Sequence, residues 1–236
     1  LISLIMAFAR PLKGNIIDTN GGYAVVIYAD DVDLNFKSSS INGNGTQAIR
    51  VMGERIGSVN SSITRKWLNN SVPYIVTDTL DVRDGGTNGS TATLQIDTGV
   101  VIKFDTGAAL VVGSNASSVE LGALIADSVV FTSSRSSPAA GDWRGITFNN
   151  YSQDGTNRIV SSQVKYGGAN GFGNIYFTNS RGDVLTTVVG NSSTSGIYLT
   201  SSSDADISND TIVNNGGDGI RFGTSSTTTT PPPLKG

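Results

Sequence analysis

Apolar residues recur along this chain in short alternating runs, each closed by Gly, Asn, Ser or Thr; residues 23–28, 48–51, 94–96 and 129–133 are examples. Alternation at every second position predicts strands of a few residues, each with one buried face. Gly or Asn interrupts nearly every window of about ten residues, so an amphipathic helix of ordinary length does not fit the pattern. The hydrophobic pattern therefore predicts an all-β chain.

A repeat near the C-terminus indicates how these strands are arranged. Residues 183–199 contain Asp-Val followed later by Gly-Ile-Tyr-Leu, and residues 206–222 contain Asp-Ile followed later by Gly-Ile-Arg-Phe. The two Gly-Ile pairs start at Gly196 and Gly219, an offset of 219 − 196 = 23 in the numbering. A repeat of this length is typical of one coil of a β-solenoid, in which equivalent residues of successive coils stack. We predict a right-handed parallel β-helix with coils of about 23 residues, forming one elongated domain.

Composition excludes several classes of function. The 236 residues carry a formal net charge of −3, and no cluster of Lys and Arg provides the positive surface that phosphate binding needs, so we expect no nucleic acid partner. Cys and His are both absent, which excludes disulfides, thiol nucleophiles, Ser-His-Asp triads and His-based zinc sites. No apolar run reaches the ~18 residues of a membrane helix, so we expect no membrane span.

The chain divides by pattern into four parts. Residues 1–10 are an apolar N-terminal cap or joining strand, residues 11–66 a first β-helix block, residues 67–223 the main block and residues 224–236 a Thr/Pro-rich tail or linker. The opening run also has the apolar stretch and small-residue ending of a signal peptide, which is an alternative interpretation.

Both ends suggest contact with further copies of similar sequence. Pro-Leu-Lys-Gly at residues 11–14 recurs at residues 233–236, an offset of 233 − 11 = 222, as expected of a piece cut from a longer array. The Thr and Pro residues of the tail predict an extended segment. We therefore predict self-association through the run from Leu1 to Ala9 and through the tail from Thr227 to Gly236.

The motifs of the main block resemble those of large secreted bacterial proteins with a right-handed parallel β-helix. The resemblance is carried by Gly-Val-Val-Ile-Lys-Phe (99–104), Leu-Val-Val-Gly (110–113), Val-Val-Phe-Thr-Ser (129–133) and Gly-Asp-Trp-Arg-Gly-Ile (141–146). The coils that begin at Asn191 and Asn215 resemble the repeat of the pectate-lyase-like superfamily. This resemblance implies an extracellular or cell-surface rod, and only some members of such families are enzymes.

The same resemblance implies where catalysis would occur. Lyases with this fold abstract a proton with Arg or Lys, and Ca²⁺ held by clustered carboxylates neutralises the uronate. The alternative is that the residues of this kind are solvated turn residues. The candidate catalytic residues are Lys165, Arg181, Asp183, Asp204 and Asp206, with Asp210 and Arg221 nearby in the sequence.

One acidic cluster is a candidate calcium site, since hard cations prefer carboxylate oxygens. It consists of Asp30, Asp31 and Asp33. The cluster lacks the Asp-x-Asp-x-Asp-Gly pattern with a following Glu, so a plain acidic turn is the alternative. We expect no other cofactor.

Aromatic residues of the main block offer a third kind of site. Aromatic rings are platforms for the apolar faces of sugars, so a strip of them would bind a glycan. The alternative is that these rings belong to the core or its edges, as Phe148, Phe177 and Phe222 do by their strand positions. The strip would comprise Trp143, Tyr151, Tyr166, Phe172, Tyr176 and Tyr198.

These observations leave three hypotheses for function. The first is a non-enzymatic segment of an extracellular or cell-surface β-helix protein, which acts as a structural rod, adhesive module or self-assembling subunit. The second is a polysaccharide lyase or hydrolase acting on an acidic glycan. The third is a flat face that binds a glycan or ice.

Overall fold

The computed structural model describes residues 12–31, 35–36 and 39–223. Within these residues the chain is a single elongated all-β domain, whose parallel strands stack as a solenoid of about eight turns. The helices in this part are two single 3-10 turns, Ala29–Asp31 and Ala169–Gly171. The predicted all-β parallel solenoid is confirmed.

The strands of the described residues form three long parallel sheets and one short one. The short sheet pairs β1 (Ile16–Asp18) with β3 (Ser40–Asn42). The eight-stranded sheet stacks β2 (Tyr23–Tyr28), β4 (Thr46–Met52), β7 (Tyr74–Val76), β10 (Val101–Phe104), β13 (Val130–Ser133), β16 (Gln163–Lys165), β19 (Val188–Gly190) and β22 (Thr211–Val213). The seven-stranded sheet stacks β5 (Arg55–Ile56), β8 (Leu80–Val82), β11 (Leu110–Val112), β14 (Ile146–Phe148), β17 (Ile175–Thr178), β20 (Ile197–Thr200) and β23 (Ile220–Phe222). The six-stranded sheet stacks β6 (Ile63–Trp67), β9 (Thr91–Ile96), β12 (Leu121–Asp127), β15 (Arg158–Val160), β18 (Arg181–Leu185) and β21 (Asp204–Ser208).

The core is built from columns of inward side chains, because alternation places every second residue of a strand on the same face. In the seven-stranded sheet, Val112, Phe148, Phe177 and Leu199 are in register and buried. The rings of Phe148 and Phe177 stack with their centroids 4.8 Å apart. Burial of a large apolar side chain contributes about 1.5–3 kcal/mol, so these columns are the main source of stability.

Coil length varies along the solenoid. Thr211 pairs with Val188, so one coil near the C-terminus advances the numbering by 211 − 188 = 23. Ile146 pairs with Leu110, so an earlier coil advances it by 146 − 110 = 36. The 23-residue spacing read from the sequence is therefore the length of the last coils and close to that of the first, whereas the middle coils carry longer turns.

One corner of the solenoid has constant length in its last four occurrences. Two residues join the six-stranded to the eight-stranded sheet after β12, β15, β18 and β21, and we call this connection the two-residue corner. Its first residue has a positive φ in every case: Ser128, Ser161, Thr186 and Asn209, at 50–57°. Most connections at the other corners are longer, such as residues 134–145 between β13 and β14, although residues 179–180 and 53–54 also form two-residue connections.

The sheets continue without a break across the boundary proposed between residues 66 and 67, which lies inside β6. The predicted N-terminal cap (residues 1–10) and the predicted tail (residues 224–236) lie outside the described residues.

Candidate functional site

Four of the five candidate catalytic residues lie on the outward side of the six-stranded sheet. Arg181 and Asp183 belong to β18, and the register places Asp204 beside Arg181 and Asp206 beside Asp183 in β21. Arg181 Nε lies 3.9 Å from Asp204 Oδ2, in an ion pair whose Arg side chain is well exposed. Asp204 and Asp206 therefore lie on one face of β21, as alternation along a strand requires. We call these four residues the acidic patch.

Lys165 lies on a different sheet. It occupies β16 of the eight-stranded sheet, where its register partner is Gly190, and its backbone carbonyl accepts a hydrogen bond of 2.8 Å from Trp143 Nε1. A proton-abstracting Lys165 next to Asp183 would require both residues in one groove. Lys165 is, however, not on the sheet that carries Arg181 and Asp183.

Arg158 joins the acidic patch, although the sequence did not point to it. It is exposed in β15, in register with Asp183. The coil at this position advances the numbering by 183 − 158 = 25, so the 23-residue offset misses the pairing. Only the strand register could have revealed it.

Asp210 is the carboxylate of this region with a shifted pKa. Asp210 is the second residue of the two-residue corner, and Ser162 and Thr187 occupy the same position in the two preceding coils. The backbone N–H of each of these two residues donates to the side chain of its equivalent in the next coil. Ser162 N lies 3.2 Å from Thr187 Oγ1, and Thr187 N lies 2.7 Å from Asp210 Oδ1. Burial raises the pKa of Asp210 from its ordinary 3.8 to about 6, against the lowering effect of hydrogen bonds from Thr187 and Ser208, and the charge of Asp206 raises it further. Arg221, considered together with Asp210 from the sequence, lies in β23 of another sheet.

The candidate calcium residues are used differently. Asp30 forms a two-pronged ion pair with Arg65, with Nε–Oδ1 and Nη2–Oδ2 distances of 2.9 Å, and it accepts the backbone N–H of Gly57 at 3.2 Å. Asp33 and the side chain of Asp31 lie outside the described residues. Among the described residues, no group of three or more carboxylate, His or Cys side chains is placed to hold a metal ion.

Arg65 occupies an inward position of β6, in register with the buried Leu94 of the next coil. Its side chain is 7% exposed, and that of Asp30 is 35% exposed. Asp30 thus compensates a cation that enters the core in the first coils. This pair supports a structural function for Asp30.

The six aromatic residues of the predicted strip do not form one surface. Trp143 is fully buried and stacks on Phe104, with ring centroids 4.1 Å apart, so its assignment to the strip was wrong. Tyr166 packs partly buried against the core. Tyr151 lies in the connection between β14 and β15, where its carbonyl accepts the N–H of Gly122. Inward packing therefore removes part of the predicted strip from the outer surface.

The remaining three rings form a continuous row on the outer side of the seven-stranded sheet. Phe172 meets Tyr176 edge to face at 5.3 Å, and Tyr176 meets Tyr198 at 5.3 Å with their planes inclined by 61°. The guanidinium of Arg144 lies over Phe172 at 5.2 Å, and that of Arg221 lies over Tyr198 at 4.9 Å. We call these five residues the aromatic–arginine row.

The sequence signal for this row was incomplete. Tyr176 and Tyr198 follow from the repeat, because they occupy the same position in consecutive coils. Arg144 and Phe172 lie in connections that precede β14 and β17, so no strand pattern places them beside the tyrosines.

In comparisons with known proteins, no family model, no curated protein and no solved structure matches this chain. Within the described part of the chain, the 3-10 turns have neither the length nor the apolar character of a membrane span.

Proposed function

We propose that this chain is a non-enzymatic rod segment of an extracellular or cell-surface protein, which joins neighbouring segments at its ends. The observation that carries the proposal is the unbroken parallel register of three sheets through the described residues. Each coil adds strands to the last and fills its inward positions by packing, so the fold supplies length and stiffness. The pectate-lyase-like resemblance of the coils supports the same role and the same location.

The ends of the described rod are suited to assembly. Within the described residues, β21, β22 and β23 pair on one side only, so their other edges offer backbone groups to a further strand. Val213 and Phe222 lie at this end and are 41% and 37% exposed. We propose that residues 1–9 and 227–236 make the joining contacts.

Electron microscopy of the purified chain at increasing concentration tests this proposal. We expect rods that lengthen by end-to-end association. The double variant Val213→Lys with Phe222→Lys should shorten them, because charge at an edge opposes strand addition. Val59→Lys is a matched control, since Val59 is 60% exposed in the connection between β5 and β6. Rods of a single length at every concentration would contradict the assembly role.

The acidic patch favours a second candidate function, a lyase or hydrolase acting on an acidic glycan. Arg181, with Arg158 close by, would supply the base, and the raised pKa of Asp210 is the kind of shift found at catalytic sites. Against this candidate, Lys165 lies on another sheet. Release of unsaturated ends from a polyuronate by the wild-type chain, lost in Arg181→Gln, would establish the enzyme and overturn the purely structural role.

A further inference from the structure

We propose that the aromatic–arginine row binds an anionic polysaccharide along the outer side of the seven-stranded sheet. A lateral binding site is a function beyond that of a rod and does not depend on end-to-end assembly.

The row has the shape of a polymer site. Tyr176, Tyr198 and Arg221 lie on β17, β20 and β23, which are adjacent strands of one sheet, and Phe172 and Arg144 extend the row from the connections before β17 and β14. Two strand spacings of ~4.8 Å separate Tyr176 from Arg221, so this part of the row alone is ~10 Å long parallel to the solenoid axis. A linear chain that lies along the axis can therefore contact all five residues, whereas a compact ligand would contact only two or three of them.

The charge of the row selects an anionic partner. Four of the other seven described arginines are paired with carboxylates: Arg65 with Asp30, Arg83 with Asp81 and Glu120, Arg135 with Asp142, and Arg181 with Asp204. Of the remaining three, Arg50 lies over the ring of Tyr23, apart from the row.

Arg144 and Arg221, in contrast, have aromatic rings as their neighbours and no carboxylate within ion-pair distance among the described residues. Carboxylate or sulfate oxygens would satisfy both guanidinium groups.

The space between the arginines is suited to sugar rings. Phe172, Tyr176 and Tyr198 are partly exposed, and their inclined planes keep them from stacking face to face on one another. Tyr176 Oη lies 3.0 Å from Thr200 Oγ1, so hydroxyl groups that can donate and accept hydrogen bonds border the rings. Apolar faces with polar rims match the alternation of C–H faces and hydroxyl groups on a pyranose.

An extended acidic peptide is a weaker match. Peptides that bind sheets usually add a strand to a free edge, and the strands at the centre of this face, β14, β17 and β20, are paired on both sides. Recognition here must come from side chains, and the row offers rings and cations in a line.

Binding to dextran sulfate and to neutral dextran, measured by affinity electrophoresis, tests the charge requirement. Alginate in the same assay distinguishes carboxylate from sulfate as the preferred group. We expect retardation by at least one anionic polymer, none by neutral dextran, and a steep loss of binding with added salt. Arg221→Gln should weaken binding about tenfold, the effect of losing one charge-assisted hydrogen bond.

Two variants separate the row from general charge. Thr147, Tyr176 and Tyr198 are in register on the outer side of the sheet, so Tyr198→Thr introduces a residue that this position already has in another coil. The variant should bind more weakly, while its melting temperature stays near that of the wild type. Arg55→Gln removes an exposed arginine from β5, at the opposite end of the seven-stranded sheet, and should leave binding unchanged. Equal weakening by Arg55→Gln and Arg221→Gln, equal retardation by neutral dextran, or no retardation by either anionic polymer at low salt would overturn the proposal.

A second copy of the chain is the remaining occupant to exclude. Size-exclusion chromatography of the wild type and Tyr198→Thr should give the same profile, since Tyr198 lies in β20, away from the edge strand β23. An assembly lost only in the variant would show that the row is an interface between copies and would also overturn the glycan assignment.

Discussion

Arg65 carries a positive charge into an inward position that Leu94 fills in the next coil. Removal of its partner should be costly, because an unpaired buried charge loses its compensation. We expect Asp30→Asn to lower the free energy of unfolding by about 3 kcal/mol, at the lower end of the range for buried pairs because Asp30 is partly exposed. Urea denaturation measures this change.

A double variant separates the charge from the packing at this position. Arg65→Leu combined with Asp30→Asn should recover most of the lost stability, since Leu fits the column and needs no counterion. A single Asp30→Asn variant as stable as the wild type would show that solvent, not Asp30, balances the guanidinium.

Because of Asp210, the free energy of unfolding should fall as the pH rises, whereas an ordinary paired carboxylate makes it rise. Its pKa is raised in the folded state, so the folded chain holds the proton more tightly than the unfolded chain does. The resulting stabilisation is complete below about pH 4 and is lost as the pH rises through about 6.

The variant Asp210→Asn isolates this effect. Relative to the wild type, it should gain stability as the pH rises from about 4 to about 6, because the variant has no carboxylate to ionise at this position. Melting temperatures by circular dichroism across this range give the difference. Asp218→Asn, an exposed loop position in the same coil, is the control, and a pH-independent difference for Asp210→Asn would contradict the assignment.

At the scale of the element, the two-residue corner requires left-handed backbone from residues that adopt it poorly. Thr186, at φ 53°, is β-branched and exposed, whereas the next coil has Asn209 at the same position. Asn tolerates this conformation better than Thr does. Thr186→Asn should therefore raise the free energy of unfolding by about 0.5–1 kcal/mol in chemical denaturation.

Thr211→Asn provides the comparison for this prediction. Thr211 is exposed in the extended strand β22, where Asn is less favourable than Thr, so the same substitution should not stabilise there. Equal effects of both substitutions would mean that the corner conformation is not the cause.

The strands and their parallel stacking could be predicted from the sequence because period-two alternation and the 23-residue offset are local signals. The positions of most side chains in the candidate sites could not. Lys165 and Arg181 are close in the sequence but lie on different sheets. Trp143 packs inward against Phe104. Turns of unequal length decide these placements, and their sequences carry no periodic pattern.

At the scale of the whole molecule, each coil contacts mainly the coils beside it, so stability should vary along the axis. We expect amide hydrogen exchange to be slowest in β10 to β17 and faster in β21, β22 and β23, which pair on one side within the described residues. Exchange measured by mass spectrometry on peptic fragments checks this gradient. Protection of the C-terminal strands as strong as that of the centre, at low concentration, would indicate unfolding as a single unit or an additional layer on these strands.

The contrast between the two-residue corner and the longer connections bears on how such a chain changes in evolution and in engineering. Coils of unequal length stack in the same sheets because the added residues leave the solenoid at corners that face solvent, while the two-residue corner keeps its length. Insertions at the exposed residues 135–140 should thus be tolerated and could display a foreign peptide at the surface of the rod. Duplication of a whole coil would lengthen the molecule without altering the interface that the next coil meets.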